Sequence, residues 1–202
     1  MFTGLIEAVG EVSELTSGAA GFRLRVRTPL AGQLHPGDSV AVNGVCLTVT
    51  TSDAATIGAD IGPETARVTT LGGLRRGVSV NLERSMSADG RFGGHFVLGH
   101  VDGTGRVALI RQDGESRWLT VSIASALEPL LILKGSVAVD GVSLTVARLG
   151  EGTFEVMIIP FTWGHTSLAS LRVGDPVNLE CDMIGKYVVR SMDLAARGRQ
   201  AT

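Results

Sequence analysis

A thiol and a hydroxyl occupy the same place in two nearly identical segments of this chain. The run VAVNGVCLTV, which contains Cys46, returns as VAVDGVSLTV, which contains Ser143, 97 positions later (143 − 46). Thr48 and Thr145 lie two residues further on, and side chains two apart share one side of a strand. Each half would therefore present two small polar groups on one face, which suits recognition of a polar heterocycle. A buried structural cysteine and a turn-capping serine are the alternative interpretation.

A histidine marks the second difference between the halves. Gly4-Leu5, near the start of the first half, aligns with Gly99-His100, and His95 precedes it within the run GGHFVLGH. Because the imidazole pKa lies near neutrality, histidine suits proton transfer, although a lone histidine is more often structural. No cysteine, aspartate or further histidine lies at ligand spacing, so the pattern does not favour a metal site.

Carboxylates are distributed unequally between the halves. Asp182 stands where the first half has Ser85, and it could cap a strand end or orient a neighbouring serine or histidine. Glu83 and Glu180 match each other, so we interpret them as architectural. Elsewhere the first half has carboxylates where the second has apolar side chains, namely Asp60 against Met157 and Glu64 against Phe161.

Composition restricts the class of protein. The chain has 202 residues with 27 glycines, which predicts many tight turns, and a net charge of −2 with 4% aromatic residues disfavours nucleic-acid binding. The start lacks the pattern of a signal peptide, and the most apolar stretch, residues 126–139, is interrupted and too short to span a membrane. Cys46 and Cys181 form no disulfide or metal pattern, so we expect free thiols in a reducing cytoplasm. Dinucleotide, phosphate-loop and hydrolase-elbow motifs are absent.

The repeat and its turn signals predict an all-β fold. A period of about 97 residues is too long for a solenoid unit and indicates a duplicated domain. Short β-branched runs alternate with turn dipeptides such as Asn43-Gly44 and Asp140-Gly141, which predicts about six strands and a small closed barrel in each half. We expect short helical inserts after Pro29 and after Ser125, where Glu128 completes a capping-box spacing.

An apolar stripe characterises the C-terminal segment. Ile184, Val188, Met192 and Ala195 recur at helical spacing, and Gly198 stands where the helix would stop. This helix could pack on its own barrel or mediate self-association, and composition does not separate the two.

Several motifs in register resemble the riboflavin synthase family, alpha-chain type. They are MFTGLIE at the start, NGVCLTV, GGHFVLGHV, and KG followed by DGVSLTV. The resemblance runs in order from Met1 to about Arg190, with the same duplication. It implies two six-stranded Greek-key β-barrels, here residues 1–95 and 96–184, each binding a lumazine. An α-helix for oligomerisation and a tail would follow, residues 185–202.

The resemblance also implies a reaction. Such an enzyme is a transferase that moves a four-carbon unit between two molecules of 6,7-dimethyl-8-ribityllumazine. The products are riboflavin and 5-amino-6-ribitylaminouracil, and the reaction is the last step of riboflavin biosynthesis. No cofactor or metal is expected. Three chains associate through their C-terminal helices, so a cytoplasmic homotrimer is expected, with association with a lumazine synthase left open.

The resemblance further implies which residues line the ligand. In the first half they are Gly4, Leu5, Ile6, Cys46, Leu47, Thr48, Asp60, Ile61, Gly62, Pro63, Glu64 and Thr65. In the second half they are Gly99, His100, Val101, Lys134, Ser143, Leu144, Thr145, Met157, Ile158, Ile159, Pro160, Phe161 and Thr162. We expect proton handling or donor orientation in the second barrel from His100, Ser143 and Thr145, supported by Asp182. We expect Cys46 and Ser39 to act at the acceptor.

One residue departs from the family pattern, and one other function fits the same fold. Phe161 stands where family members often carry a glutamate between proline and threonine, so a charge is lost there. The alternative function is a non-catalytic lumazine- or flavin-binding protein. Such proteins tend to lose polar site residues. The enzyme is favoured because the polar residues are all present: Cys46, His100, Ser143, Thr145 and Asp182.

Overall fold

Each half of the chain forms a closed barrel of six antiparallel strands, as the sequence predicted, in a computed structural model that describes residues 1–18 and 21–200. The first barrel consists of β1 (Ala8–Gly18), β2 (Gly21–Arg27), β3 (Ser39–Val42), β4 (Val45–Ser52), β5 (Thr56–Ile61) and β6 (Ser79–Arg84). The second consists of β7 (Gly103–Asp113), β8 (Ser116–Ser122), β9 (Ser136–Val139), β10 (Val142–Gly150), β11 (Thr153–Ile158) and β12 (Pro176–Cys181). The strands close in the order β1-β2-β5-β4-β3-β6, and the second barrel repeats this order.

Alternation of apolar and polar side chains builds each barrel around its own core. In β2, Leu24 and Val26 are buried, whereas Arg23 and Arg27 point outward and pair with carboxylates on adjacent strands. A bulge interrupts β4 between Val49 and Thr51, and β10 has a bulge at the equivalent place. Because bulges bend a strand and increase its twist, their repetition gives the two barrels the same curvature.

The predicted turn dipeptides form two-residue hairpin turns, and these turns face each other. Asn43 and Gly44 have φ of 45° and 75°, and Asp140 and Gly141 have φ of 44° and 79°. Positive φ at both central residues defines the hairpin turn that suits a twisted strand pair. A Cβ atom on Gly44 would lie 2.6 Å from the Gly141 backbone nitrogen, so the turns touch where only glycine fits. The barrels are therefore related by a local twofold axis through these turns.

Reciprocal hydrogen bonds hold the two barrels together beside this axis. The Asn81 side-chain amide donates to the Asp140 carbonyl at 2.9 Å, and the Asn178 amide donates to the Asn43 carbonyl at 2.8 Å. All four residues are buried. Because unpaired buried amides are costly, these bonds favour one relative orientation of the barrels.

Three helices and four 3₁₀ turns accompany the strands in the described part of the chain. The helices are α1 (Pro63–Val68), α2 (Pro160–Gly164) and α3 (Met183–Gln200), and the 3₁₀ turns span Ala31–Gln33, Thr70–Gly73, Ser125–Leu130 and Ser167–Ser170. The inserts expected after Pro29 and Ser125 are both present as 3₁₀ turns. The predicted capping box is wrong, because the residue that caps the third turn is Ala124 and no side chain bonds to its backbone.

Helix α3 leaves its apolar stripe uncovered. Ile184, Val188 and Met192 are 60%, 53% and 67% exposed, so the stripe does not pack on its own barrel. The start of the helix is anchored, since the Lys186 ammonium lies 2.7 Å from an Asp102 carboxylate oxygen. The helix runs to Gln200, past the predicted stop at Gly198. No helix within the described ranges is long and apolar enough to cross a membrane.

Candidate functional site

Two extended segments cross between the barrels and reach the residues that differ between the halves. Residues 2–5 and 95–99 lie antiparallel, joined by hydrogen bonds between Phe2 and Val97. The Gly4 carbonyl accepts the Ser143 N–H at 2.8 Å, and the Gly99 carbonyl accepts the Cys46 N–H at 2.9 Å. Each barrel thus receives a segment that belongs in sequence to the other half.

This crossing changes the predicted grouping of the site residues. The Gly99 backbone, next to His100, lies against Cys46, and the Gly4 backbone, next to Leu5, lies against Ser143. Apolar packing follows the same exchange, because Val101 packs on the core of the first barrel and Ile6 on that of the second. The sequence places residues 99–101 in the second half, but backbone pairing between the halves brings this segment to the first barrel. We call Cys46, Thr48, Ser39 and the adjoining His100 the first half-site.

The second half-site consists of Ser143, Thr145, Lys134 and His95, with Gly4-Leu5 beside them. In the register of β9 and β10, Ser143 lies opposite Ala138 and Thr145 opposite Ser136. The first barrel repeats this arrangement, with Cys46 opposite Ala41 and Thr48 opposite Ser39. The polar positions predicted to share a face, including Ser39, therefore lie together on adjacent strands.

Glycine is required where the crossing segments meet the strands. Gly4 and Gly99 both have φ of +78°. A Cβ atom on Gly4 would lie 2.6 Å from the Ser143 Cβ, and one on Gly99 would lie 2.5 Å from the Cys46 Cβ. A larger residue at either place would separate the crossing segment from its half-site.

Two buried glutamates hold the crossing segments in place. The Glu83 carboxylate accepts hydrogen bonds from the backbone N–H groups of Thr3 and Gly4 at 2.6 and 2.9 Å and from the Thr3 hydroxyl. Glu180 accepts the N–H groups of Leu98 and Gly99 at 2.7 and 2.9 Å. Burial raises the pKa of both carboxyls, and these hydrogen bonds oppose that rise. Their equivalence fits the architectural role inferred from the repeat.

His95 is the residue that the sequence prediction left without a role. Its Nδ1 lies 2.7 Å from the Ser143 hydroxyl oxygen, and the side chain is buried. Burial lowers the pKa of the His95 imidazole, and the Asp182 carboxylate opposes that change. Asp182 also accepts the Ile184 N–H at the start of α3. The sequence did carry one signal for this place, the glycine pair Gly93-Gly94 just before His95. In the structure a side chain on Gly94 would collide with the Thr3 backbone, so the chain passes closely there.

Some residues predicted to line the ligand point into the barrel cores. Their side chains are buried among apolar residues, so they can contribute only backbone atoms to a surface site: Leu47, Ile61, Leu144 and Ile158. Strand alternation explains this result, because the neighbouring positions on the same strands face outward. A whole segment carried over from a family does not separate the residues that face the core from those that face outward.

The predicted contrast between charged and apolar walls is present. Near the end of β5, Asp60 lies 3.5 Å from Arg23, and within α1 Glu64 pairs with Arg67 at 2.6 Å. The equivalent wall of the second barrel exposes apolar side chains, among them Met157, Ile159 and Phe161. The Phe161 ring stacks on His165 at a centroid distance of 4.0 Å. Gly62 is the N-cap residue of α1, Pro63 and Thr65 lie in its first turn, and Pro160 and Thr162 lie in the first turn of α2.

Lys134 adopts a backbone conformation that its side chain disfavours. Its φ is 66°, whereas the equivalent residue of the first barrel is Gly37 with φ of 99°. Non-glycine residues in this region cost on the order of 1–3 kcal/mol and cluster at functional sites. Lys134 is exposed, and its backbone N–H donates to the carbonyl of Val146, the residue after Thr145, so this strained position adjoins the second half-site.

A cavity of about 450 Å³ adjoins the first barrel. Its lining includes Ser39, Leu5 and Ser85, the residue that occupies the place of Asp182. Arg84 also lines it, held by the Glu7 carboxylate at 2.6 Å. The cavity is open, and Ser39 is the residue of the first half-site that borders it.

Comparison with known proteins identifies the class to which this fold and site belong. Residues 3–85 and 98–182 each match the lumazine binding domain. Solved structures of LumP complexed with 6,7-dimethyl-8-(1'-D-ribityl) lumazine and with riboflavin superpose with TM-scores of 0.82 and 0.84. Both cover 90% of this chain and 99% of LumP at 22% identity, which shows the shared fold.

Relatives with higher sequence identity define the family more narrowly than the shared fold does. Riboflavin synthase of Bacillus subtilis (strain 168) is 43% identical over 196 residues, which cover 96% of this chain and 91% of the relative. Riboflavin synthase of Actinobacillus pleuropneumoniae is 44% identical over 189 residues, 93% of this chain and 88% of the relative. The riboflavin synthase of Schizosaccharomyces pombe is 40% identical over 196 residues, 96% and 94% of the two chains. The chain belongs to the riboflavin synthase family, built from two lumazine binding domains.

Proposed function

We propose that this protein is a transferase that converts two molecules of 6,7-dimethyl-8-ribityllumazine into riboflavin and 5-amino-6-ribitylaminouracil. The observation that carries the proposal is identity of 40–44% to riboflavin synthases over nearly the whole chain. Two similar half-sites with unequal polar groups fit a reaction in which one substrate takes two roles. The two products contain all the atoms of the two substrates, so the reaction needs no net oxidant or reductant.

The chemistry requires deprotonation of a methyl group on one lumazine and nucleophilic addition to the other. Holding two heterocycles in reacting geometry is worth about 7–11 kcal/mol, and proton transfer by a placed side chain is worth about 10²–10⁴ in rate. Orientation is therefore the larger contribution. We assign the acceptor to the first half-site, with Cys46, Ser39 and His100, and the donor to the second, with Ser143, Thr145 and Asp182.

The wall residues would select the ring and hold the ribityl chain. Lys134 supplies a cation at the edge of the second half-site, and its unfavourable φ supports a role for the ammonium in binding. Phe161, 68% exposed and stacked on His165, offers an aromatic face to a planar ring. On the first barrel, Asp60 and Glu64 offer acceptors for ribityl hydroxyls.

We propose a homotrimer joined through α3. The uncovered stripe of Ile184, Val188 and Met192 supports self-association, because exposed apolar patches mark interaction surfaces. Replacing Ile184 and Met192 with aspartate should give monomers in light-scattering measurements, with Arg190→Asp on the same helix as the control. A trimer that persists in the double variant would contradict this contact. The free thiols of Cys46 and Cys181 support a cytoplasmic location.

The decisive experiment mixes the purified protein with 6,7-dimethyl-8-ribityllumazine alone and follows the visible absorbance of riboflavin. We expect one riboflavin for every two lumazines consumed, without an added cofactor. Cys46→Ala and His100→Gln should both slow turnover, and wild-type rates in both variants would refute their assignment. Addition of a lumazine synthase tests by co-elution whether the two enzymes associate.

The alternative function is a non-catalytic lumazine- or flavin-binding protein. The fold shared with LumP favours it, because LumP is seen in complex with lumazine and with riboflavin. The polar residues of both half-sites argue for turnover instead. Tight binding of lumazine without formation of riboflavin would establish the alternative.

A further inference from the structure

The Ser143 side chain lies against both crossing segments, and His95 is its hydrogen-bond partner there. Its backbone N–H is donated to the Gly4 carbonyl, and its hydroxyl oxygen lies 2.7 Å from His95 Nδ1. His95 is 7% exposed, and its backbone N–H donates to the Thr3 carbonyl of the other crossing segment at 3.1 Å. The imidazole therefore has little freedom to rotate away from the hydroxyl.

The second ring nitrogen indicates where the proton resides. His95 Nε2 is buried and has no hydrogen-bond partner among the described residues. A buried N–H without an acceptor is rarer and costlier than a buried lone pair without a donor. Burial also lowers the pKa of the imidazole, so the ring is neutral near pH 7 and carries one N–H. The proton is therefore on Nδ1, where it is donated to the Ser143 oxygen.

This tautomer determines what Ser143 can offer to a ligand. A serine hydroxyl has one hydrogen and two acceptor lone pairs. If His95 donates to one lone pair, the hydroxyl hydrogen stays free to point outward. Ser143 then acts as a hydrogen-bond donor towards a carbonyl oxygen or a ring nitrogen of a bound heterocycle.

We propose that His95 is a positioning residue of the second half-site, which holds the Ser143 hydroxyl as a donor to an acceptor atom of the bound lumazine. The inference rests on the proposed function for the identity of the ligand. It distinguishes the two half-sites chemically, because Cys46 presents a thiol, a much weaker donor, at the equivalent place. Two identical substrate molecules would thus meet one strong donor and one weak donor, which favours different binding poses.

A double-mutant cycle on riboflavin binding tests the proposal. Riboflavin is the probe, its fluorescence is followed during titration, and the variants are His95→Leu, Ser143→Ala and the two combined. We expect each single variant to weaken one binding phase by about five- to ten-fold, and the double variant to lose no more than either single one. His95→Asn, whose amide can donate from the Nδ1 position, should recover most of the affinity. Losses that multiply in the double variant would overturn the proposal.

A second measurement is independent of ligand and turnover. Nitrogen-15 NMR of labelled protein reports which ring nitrogen of His95 carries the proton, with His35→Leu, at an exposed site far from Ser143 in sequence, as the assignment control. We expect protonated Nδ1 and unprotonated Nε2 near pH 7, and a shifted Nδ1 signal in Ser143→Ala. Protonated Nε2 would refute the proposal. If the protein forms no riboflavin but shows the expected tautomer and coupling, the proposed function fails while the role of His95 in binding stands.

Discussion

Replacement of Asp140 by asparagine should make the protein more stable at alkaline pH. The Asp140 side chain is 4% exposed, its Oδ1 accepts the Asn178 N–H at 2.8 Å, and burial raises its pKa from 3.8 to about 7. Asn43 occupies the equivalent turn of the first barrel with φ of 45°, and its Oδ1 accepts the Asn81 N–H at 2.7 Å. An amide therefore fits this turn without rearrangement.

The magnitude and sign follow from the two pKa values of Asp140. The folded state holds the Asp140 proton more tightly than the unfolded state. The contribution of Asp140 to stability is therefore greatest below pH 4 and falls as pH rises towards 7. A pKa raised by about 3 corresponds to a loss of folding stability on the order of 4 kcal/mol once the carboxyl is ionised in both states. Measured from pH 5 to pH 8, the advantage of Asp140→Asn over the wild type should grow by about 3 kcal/mol.

Urea unfolding at a fixed protein concentration provides the assay. Other buried carboxyls, Glu83 and Glu180 among them, contribute equally to both proteins, so the difference between the two pH profiles isolates Asp140. Asn43→Asp is the mirror variant and should introduce the same pH dependence. Superimposable profiles for the wild type and Asp140→Asn would refute the reasoning, because they would mean that the carboxyl ionises without cost.

Three further substitutions test the crossing segments and the second half-site. The backbone N–H groups of Thr3 and Gly4 donate to the Glu83 carboxylate, and Glu83→Gln turns an amide N–H₂ towards one of them. This variant should lose about 1–3 kcal/mol of stability in urea unfolding, whereas Glu115→Gln at an exposed site should be neutral. Gly99→Ala should cost about 1–3 kcal/mol and abolish turnover, while Gly37→Ala, whose Cβ meets nothing within 4 Å, should retain activity. Lys134→Gly should raise the melting temperature by a few degrees, through about 1 kcal/mol of relieved strain, and weaken lumazine binding. Unchanged stability in the first two variants would contradict the anchoring of the crossing segments, and unchanged affinity in the third would contradict a binding role for the Lys134 ammonium.

Local signals in the sequence predicted most of the fold. The dipeptides Asn43-Gly44 and Asp140-Gly141 determine hairpin turns through their own backbone preferences, and strand alternation is a property of neighbouring residues. The repeat showed that the same barrel occurs twice. The capping box at Ser125 failed because the turn begins one residue earlier than the spacing implied, with Ala124 at its cap.

The candidate site was only partly predictable, because its pairings are not local. Cys46 and Ser143 stood out as unequal members of a repeat. Their partners, however, come from segments that cross between the barrels, and nothing in the composition of the GGHFVLGH run states that Gly99 reaches one barrel and His95 the other. Long-range backbone pairing decides this, and a single sequence does not record it.

A dimer of identical single barrels would carry every substitution twice, once in each copy. In this protein the reciprocal contacts about the local twofold axis lie within one polypeptide, so equivalent positions vary independently. Positions at which geometry leaves no room have stayed alike, such as Gly44 with Gly141. Positions at the edges of the half-sites have diverged, such as Gly37 with Lys134. Fusion of the two barrels thus gives a symmetric scaffold the genetic freedom to specialise each face for a different member of a reacting pair.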